Sequence, residues 1–415
     1  MKRSIIIDQK RRQELIYQFY YKHYGQLIRK KRKERKLTQE DLASGICSNT
    51  YISKAENNQV AIGEEQLYMI MEKLKVTTDE FLAPEDLIKY LNESINYFYL
   101  KDKESYKKIY EKIEKFEFQI LAQVIKLGYL VLTENYYKAK SIYEELFQYL
   151  SNLDDYGFTV FMIYSSFYNL GISKFTEAKY MVDSIKIKSL NNNYLEDLFA
   201  YLKFLVYGNL HLFVKSNDYF SIALKCFTRA YNVQRINELL MWHNLFLMYS
   251  GENKALPAID LIINSLSNND KNRYLLMKAY KDSNPNRYIK KMETEDSEAY
   301  LFGLYILARY YYKKDKKEYN ELKEKIRNVH YKVKPKIDFA NLLMLREKQH
   351  LMFLKDYLIN YCLKVAKENE NIYLVKSITD EIVSILQEKN RYKDALTYEL
   401  STKKYISKLQ KYNAE

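Results

Sequence analysis

The sequence predicts an all-α protein in which an N-terminal helix-turn-helix domain precedes a long helical array. Three observations lead there. The 415 residues include only 9 Gly and 4 Pro, too few for the many tight turns of a sandwich or barrel. Hydrophobic residues make up 47% of the chain, enough to bury a large interior and to exclude a disordered polypeptide. Apolar residues recur at helical spacing, as in Leu67, Ile70, Met71 and Leu74. A single core stops growing at about 250–300 residues, so the chain divides into units or runs on as a repeat array.

Met1–His23 is a basic extension. Tyr24–Lys36 reads as a first helix. Thr38 is a good N-cap, and Gln39, Glu40 and Asp41 open a second helix, Gln39–Gly45. Ile46 and Cys47 turn inward, and Ser48 or Asn49 caps a third helix that runs to Asn57. Glu64–Leu74 forms a fourth helix and Thr77–Leu82 a short fifth, so a five-helix domain spans 24–83. Ala83-Pro84 marks the boundary, since Pro suits the first position of a new helix. Leu87–Phe118, within a linker region 84–118, reads as a charged connecting helix.

The array is expected over 119–415. Its breaks share one look: an aromatic or Leu, polar residues, then Ala opening a helix. Examples are Tyr136–Ala139, Phe175–Ala178, Phe220–Ala223, Ala255–Ala258 and Tyr392–Ala395. Asp315–Tyr319 and Leu354–Leu358 are further candidate turns. The first four Ala are 39, 45 and 35 residues apart, near the tetratricopeptide period of about 34. A small residue there lets the second helix of each pair approach the first. The array is therefore expected to be a tetratricopeptide-like α-solenoid.

The net charge is +14, and it is unevenly placed. Residues 1–36 hold 13 Lys/Arg against 3 Asp/Glu, whereas the remainder holds 54 against 50. A basic block beside a helix-turn-helix points to a phosphate-facing surface. Leu37, Leu42, Ala43, Ile46 and Ile52 fall where two crossed helices need apolar contacts. Ser48, Asn49, Thr50, Tyr51, Ser53 and Lys54 fall on the start of the second of those helices, the part that enters the major groove. Asn can bridge an adenine edge, and Lys can reach guanine or phosphate. Gln39 at a helix start can hold a phosphate, and Arg29 in the basic first helix completes the DNA-facing set.

The segment Leu37–Asn57 resembles the Cro/repressor (XRE) class. More narrowly, Gly45–Lys54 with Glu56-Asn57-Asn58 resembles the recognition region of the Rgg–NprR–PlcR–PrgX family of peptide-pheromone receptors. That likeness rests on about 60 residues and is architectural beyond them. The N-terminal extension departs from the family pattern, and Ala55 stands where a larger apolar residue is common. The resemblance implies a cytoplasmic quorum-sensing transcription regulator, a homodimer controlled by a short signalling peptide in its array. In that family, Asn side chains on inner helices hold the peptide backbone. The matching candidates are Asn169, Asn209 and Asn244, the last two each preceding an Ala marker by 14 residues. Arg309, in the otherwise apolar helix Tyr300–Tyr312, is a candidate partner for a peptide carboxylate. The competing expectation is that the array holds a protein, such as a response regulator or an anti-repressor.

Other classes find no support in the sequence. Cys47, Cys226 and Cys362 are odd in number and far apart, which argues against disulfides or zinc and fits a reducing compartment. The five His lack HExxH spacing, and no phosphate loop, dinucleotide fingerprint or nucleophile elbow occurs. The chain is expected to be no enzyme and to need no cofactor or metal. No apolar run approaches the length of a membrane span.

Overall fold

The computed structural model describes residues 25–57, 59–60, 62–75, 84–114, 120–147, 150, 153–185, 193–250, 259–292, 298–333, 335, 337–368 and 372–414. The basic extension, the expected fifth helix and the Ala255–Ala258 break lie outside them. Among the described residues every regular element is a helix, and none is long and apolar enough to cross a membrane.

The N-terminal domain contains α1 (Gly25–Glu34), α2 (Gln39–Ala43), α3 (Asn49–Glu56) and α4 (Glu64–Lys73). Ile28, Leu42, Ala43, Ile52, Ala55, Leu67, Ile70, Met71 and Leu74 are buried together, with Leu37, Ile46 and Cys47 packed against them. Ala55 is small and 1% exposed, so α3 sits close on this core.

The rest of the chain is a tetratricopeptide-like series of helical hairpins. The stretch expected as one connecting helix is two, α5 (Pro84–Leu100) and α6 (Lys103–Ile113). The break has a local cause: Lys101 adopts φ +59°, and Asp102 caps α6 by accepting from the Ser105 N–H at 3.0 Å. Leu87, Leu91, Ile95, Phe98 and Tyr99 of α5 are buried, so α5 is a packed helix and not a solvated connector. There follow α7 (Ile120–Leu132), α8 (Tyr136–Leu146), α9 (Asp155–Gly171), α10 (Phe175–Asp183), α11 (Asn193–Asn209), α12 (Phe213–Arg229) and α13 (Val233–Ser250). Next come α14 (Ile259–Ile262), α15 (Asn268–Lys281), α16 (Asn286–Ile289), α17 (Glu298–Tyr311), α18 (Lys316–Val333) and α19 (Phe339–Glu347). The chain ends with α20 (Leu351–Tyr357), a π segment (Leu358–Cys362), α21 (Leu363–Glu368), α22 (Ile372–Glu388) and α23 (Tyr392–Ala414).

Scarce glycine forces an unusual turn chemistry. Lys101, Glu134, Ser173, His211, Tyr231, Gln349 and Asn390 all take positive φ where a helix ends. Several close the two-bond motif that satisfies terminal carbonyls. Glu134 and Asn135 donate to Val131 and Leu130 at 3.1 and 2.8 Å, and His211 and Leu212 donate to Gly208 and Tyr207 at 3.0 and 2.8 Å.

The fourth residue of the second helix is buried in hairpin after hairpin: Tyr106, Ala139, Ala178, Ser216, Tyr319, Leu354 and Ala395. This corrects the repeat register. Ala223 does not open a helix but lies inside α12, whose break is at Leu210–Leu212. The residue matching Ala139 and Ala178 is Ser216, whose Oγ donates to the Phe204 carbonyl at 2.9 Å. The three are then 39 and 38 residues apart. Leu354–Leu358 is likewise not a turn, since α20 continues into the π segment and the turn falls at Gln349, φ +50°. Asp315 does end a turn, accepting from the Lys317 and Glu318 N–H groups at the start of α18.

Chain contacts divide the structure into two compact units. One is Met1–Ile172 with Glu177–Leu202, the other Ser173–Thr176 with Lys203–Glu415.

Candidate nucleic-acid interface and ligand sites

The α2–turn–α3 geometry follows from local sequence. Thr38 and Asp41 cap α2 reciprocally: Asp41 N–H donates to Thr38 Oγ1 at 3.0 Å, and Thr38 N–H donates to Asp41 Oδ2 at 2.7 Å. Hydrogen bonds from the Thr38 hydroxyl, then from its backbone, hold the Asp41 carboxyl below its ordinary range. Gly45 takes φ +78° between the helices, where a side chain would be strained. Ser48 then caps α3, accepting from the Tyr51 N–H at 3.2 Å.

A buried ionic network fixes α3 on the domain. Glu56 is 1% exposed. Arg32 of α1 reaches it twice, Nε to Oε1 at 2.5 Å and Nη2 to Oε2 at 3.0 Å, while Nη1 donates to the Leu37 carbonyl at 2.7 Å. Gln39 Nε2 donates to Glu56 Oε2 at 2.8 Å. Two expectations change as a result. Arg32, counted in the basic block, points inward, and the Gln39 amide nitrogen faces Glu56 and not a phosphate. Tyr51 is also turned aside: it is half-buried, and its hydroxyl accepts from the Gly63 N–H at 3.4 Å. Asn49, Thr50 and Lys54 are exposed, Ser53 and Arg29 are half-buried, and Ile52, Ala55 and Glu56 face the core. The structure therefore brings Asn49, Thr50, Ser53 and Lys54 together on the outer face of α3, with Ser48 as its cap.

The array candidates fare differently. Asn169, 1% exposed in the first unit, donates to Tyr143 Oη at 3.1 Å and to the Ser165 carbonyl at 2.8 Å, with Met181 Sδ at 3.5 Å. It ties α9 to α8 and α10, with its amide nitrogen engaged inside the fold. Asn244, fully buried in the second unit, donates to Tyr274 Oη at 3.4 Å and joins α13 to α15. Asn209 is the last residue of α11, half-buried, with Nδ2 on the Leu205 carbonyl at 2.8 Å. Its offset from Ala223 was not a repeat register, so Asn209 and Asn244 are not equivalent positions.

Arg309, near the end of α17, lies 3.3 Å from Glu381 Oε2 of α22. Sequence reasoning missed this buried carboxylate. Arg346 Nη2 donates to Glu381 Oε1 at 2.7 Å, and Tyr305 donates to both oxygens at 3.0 and 2.8 Å. The two arginines overcome the burial of Glu381 and keep its carboxyl below the ordinary range. Beside them Tyr280 donates to Asp380 Oδ2 at 2.6 Å. Among the described residues no group of His, Cys, Asp and Glu is arranged to hold a metal ion.

These elements define a helix-turn-helix domain joined to a tetratricopeptide-like helical array. Residues 28–81 match the helix-turn-helix family model HTH_3. No curated protein sequence matches the chain. Among solved structures, the fold is similar to the apo form of the quorum sensor NprR from Bacillus thuringiensis. That match has a TM-score of 0.54 at 15% identity and covers 78% of this chain and 99% of that one. It is also similar to NprR in complex with its cognate peptide NprX, with a TM-score of 0.55 at 16% identity, covering 76% of this chain and 98% of that one.

Proposed function

We propose that this protein is a cytoplasmic transcription regulator that binds promoter DNA through α3 and is controlled by a short signalling peptide held in its array. The observation that carries the DNA reading is the outer face of α3, where Asn49, Thr50, Ser53 and Lys54 stand clear of a core anchored by Glu56. Asn49 and Lys54 read base edges, Thr50 and Ser53 add contacts, and Arg29 reaches the backbone. A homodimer would place two such helices on two half-sites. The peptide reading draws on the fold shared with NprR, which was solved with a peptide bound. Asn209 and Arg309 are the candidate contacts that reach the surface.

The test is fluorescence polarisation with the protein's own promoter as probe. Asn49→Ala and Lys54→Ala should each lose about 1–3 kcal/mol of discrimination or affinity with the fold retained. Affinity should fall steeply with salt, by a slope of about −0.9 per phosphate contact. Parent-like binding by both variants would remove α3 as the reader. Because Asn169 and Asn244 are engaged internally, a protein occupant of the array is the second reading. It predicts that a protein, and no peptide, shifts the DNA affinity.

A further inference from the structure

Glu381 has more cation around it than it can use. Its two oxygens already accept from Arg346 and twice from Tyr305. Arg309 stands at ion-pair distance, 3.3 Å from Oε2, and makes no hydrogen bond among the described residues. Its guanidinium lies 5.8 Å from the centre of the Tyr305 ring, and its side chain is 30% exposed. A guanidinium offers five donors in a flat fork matched to a carboxylate. Here the fork lies against Glu381 and the Tyr305 ring, and it makes no hydrogen bond to a described residue.

The surroundings add positive charge. Asp380, the other anion close by, is engaged by Tyr280 at 2.6 Å. Lys281 follows Tyr280, and its ammonium donates to the Met248 carbonyl. Burial, and then the charge of Lys376, lower the affinity of Lys281 for its proton, so the two ammonium groups lie in each other's field. Lys376 is exposed on α22, one turn before Asp380, with no ion pair among the described residues. Arg346 keeps its Nε buried without an acceptor among them. Of these cations Arg309 and Arg346 meet Glu381, and all four belong to the second unit.

We propose that Arg309, aided by the charge of Lys376 one turn before Asp380, is the seat of a carboxylate of the ligand carried by the array, and that Glu381 is the positioning residue that aims the arginine fork. This rests on the peptide reading above. The carboxylate comes from the peptide's C-terminus or from an Asp or Glu side chain. The two sources share one chemistry and separate in the test.

The full-length protein is incubated with pools of random heptapeptides, and retained peptides are identified by mass spectrometry. One pool carries a free C-terminus and a second the C-terminal amide, each made with and without Asp and Glu. The parent should retain peptides bearing the carboxylate over their uncharged counterparts by about tenfold or more, as for a charged hydrogen bond. Preference for the free acid assigns the C-terminus, and preference for Asp or Glu in both pools assigns a side chain. Arg309→Gln should bring the preference to parity while peptides are still retained, and Arg309→Lys should restore part of it. Lys376→Gln, at an exposed position outside the Glu381 hydrogen-bond set, should weaken the preference with an unchanged circular-dichroism melt. It guards against a merely misfolded Arg309 variant. A parent that retains peptides with no carboxylate preference, or a preference that survives both Gln variants, overturns the seat and leaves the peptide reading standing. Failure to retain any peptide overturns both.

Discussion

Glu56→Ala should come close to unfolding the DNA-binding domain, although it removes one side chain that touches no expected ligand. The substitution strands the Arg32 guanidinium, whose side chain is 11% exposed, and leaves the Gln39 amide without its acceptor. Removing one member of a buried ion pair costs about 3–5 kcal/mol. A domain of about 50 residues has only about 2.5–7.5 kcal/mol in total, so the loss is of the size of the whole. Hydrogen exchange on the full-length chain reads this locally: the α3 amides should lose protection while those of the array keep theirs. Charge is not itself the requirement. The double variant Arg32→Met/Glu56→Leu fills the space with apolar groups and should recover most of the protection, because Gln39 is half-buried and can turn to water. Unchanged α3 protection in Glu56→Ala, or a double variant as unprotected as the single one, would refute the anchoring role.

Two further outcomes follow from the array. Burial, reinforced by Lys376, lowers His211 to about 3, against about 6.5 in the unfolded chain. The unfolded state therefore takes up the proton first, and stability falls as pH drops below 6.5 towards 3. The loss is about 1.4 kcal/mol per unit, or about 2 kcal/mol between pH 6.5 and 5. His211→Asn, which tolerates φ +61°, should flatten that part of the denaturation profile, and an unaltered slope would count against it. Tyr231 is 88% exposed at φ +52°, a conformation that costs a residue with a side chain about 1–2 kcal/mol. Tyr231→Gly should therefore raise the melting temperature, by a net stabilisation of about 0.5–1 kcal/mol after the entropy cost of glycine, and a lower melting point would contradict this.

What the sequence made legible was local. The Thr38–Asp41 and Ser48 caps each join residues within a few positions, so α1–α4 could be placed to within about two residues, although Gly45, read as the end of the second helix, lies in the turn after Ala43. The Arg32–Glu56 pair spans 24 residues and is visible only once α1 crosses α3. The same limit explains why Arg32 was counted with the basic block. The repeat register slipped for a different reason. Ser216 and Ala223 are seven residues apart, two helical turns, so they share one face of α12 and both are buried. A small apolar residue in phase with the true marker cannot be told from it by spacing. Asn169 and Asn244 have partners within the fold, and a buried asparagine that ties helices together has the same sequence pattern as one facing a ligand. The difference lies in Tyr143 and Tyr274, one on a neighbouring helix 26 residues earlier and the other on a helix 30 residues later.

Arg309 shows the opposite case. A lone cation in an apolar helix reads from sequence either as a ligand contact or as a side chain reaching for water. The structure gives it a third position, beside a carboxylate that a second arginine also engages. Had Glu381 faced Arg309 alone, the pair would be closed and the site inert. With Arg346 at 2.7 Å and Arg309 at 3.3 Å, two arginines share one carboxylate, and Arg309 makes no hydrogen bond among the described residues. The distribution of partners around Glu381, rather than the presence of an arginine, is what the proposed seat for a ligand's charge rests on.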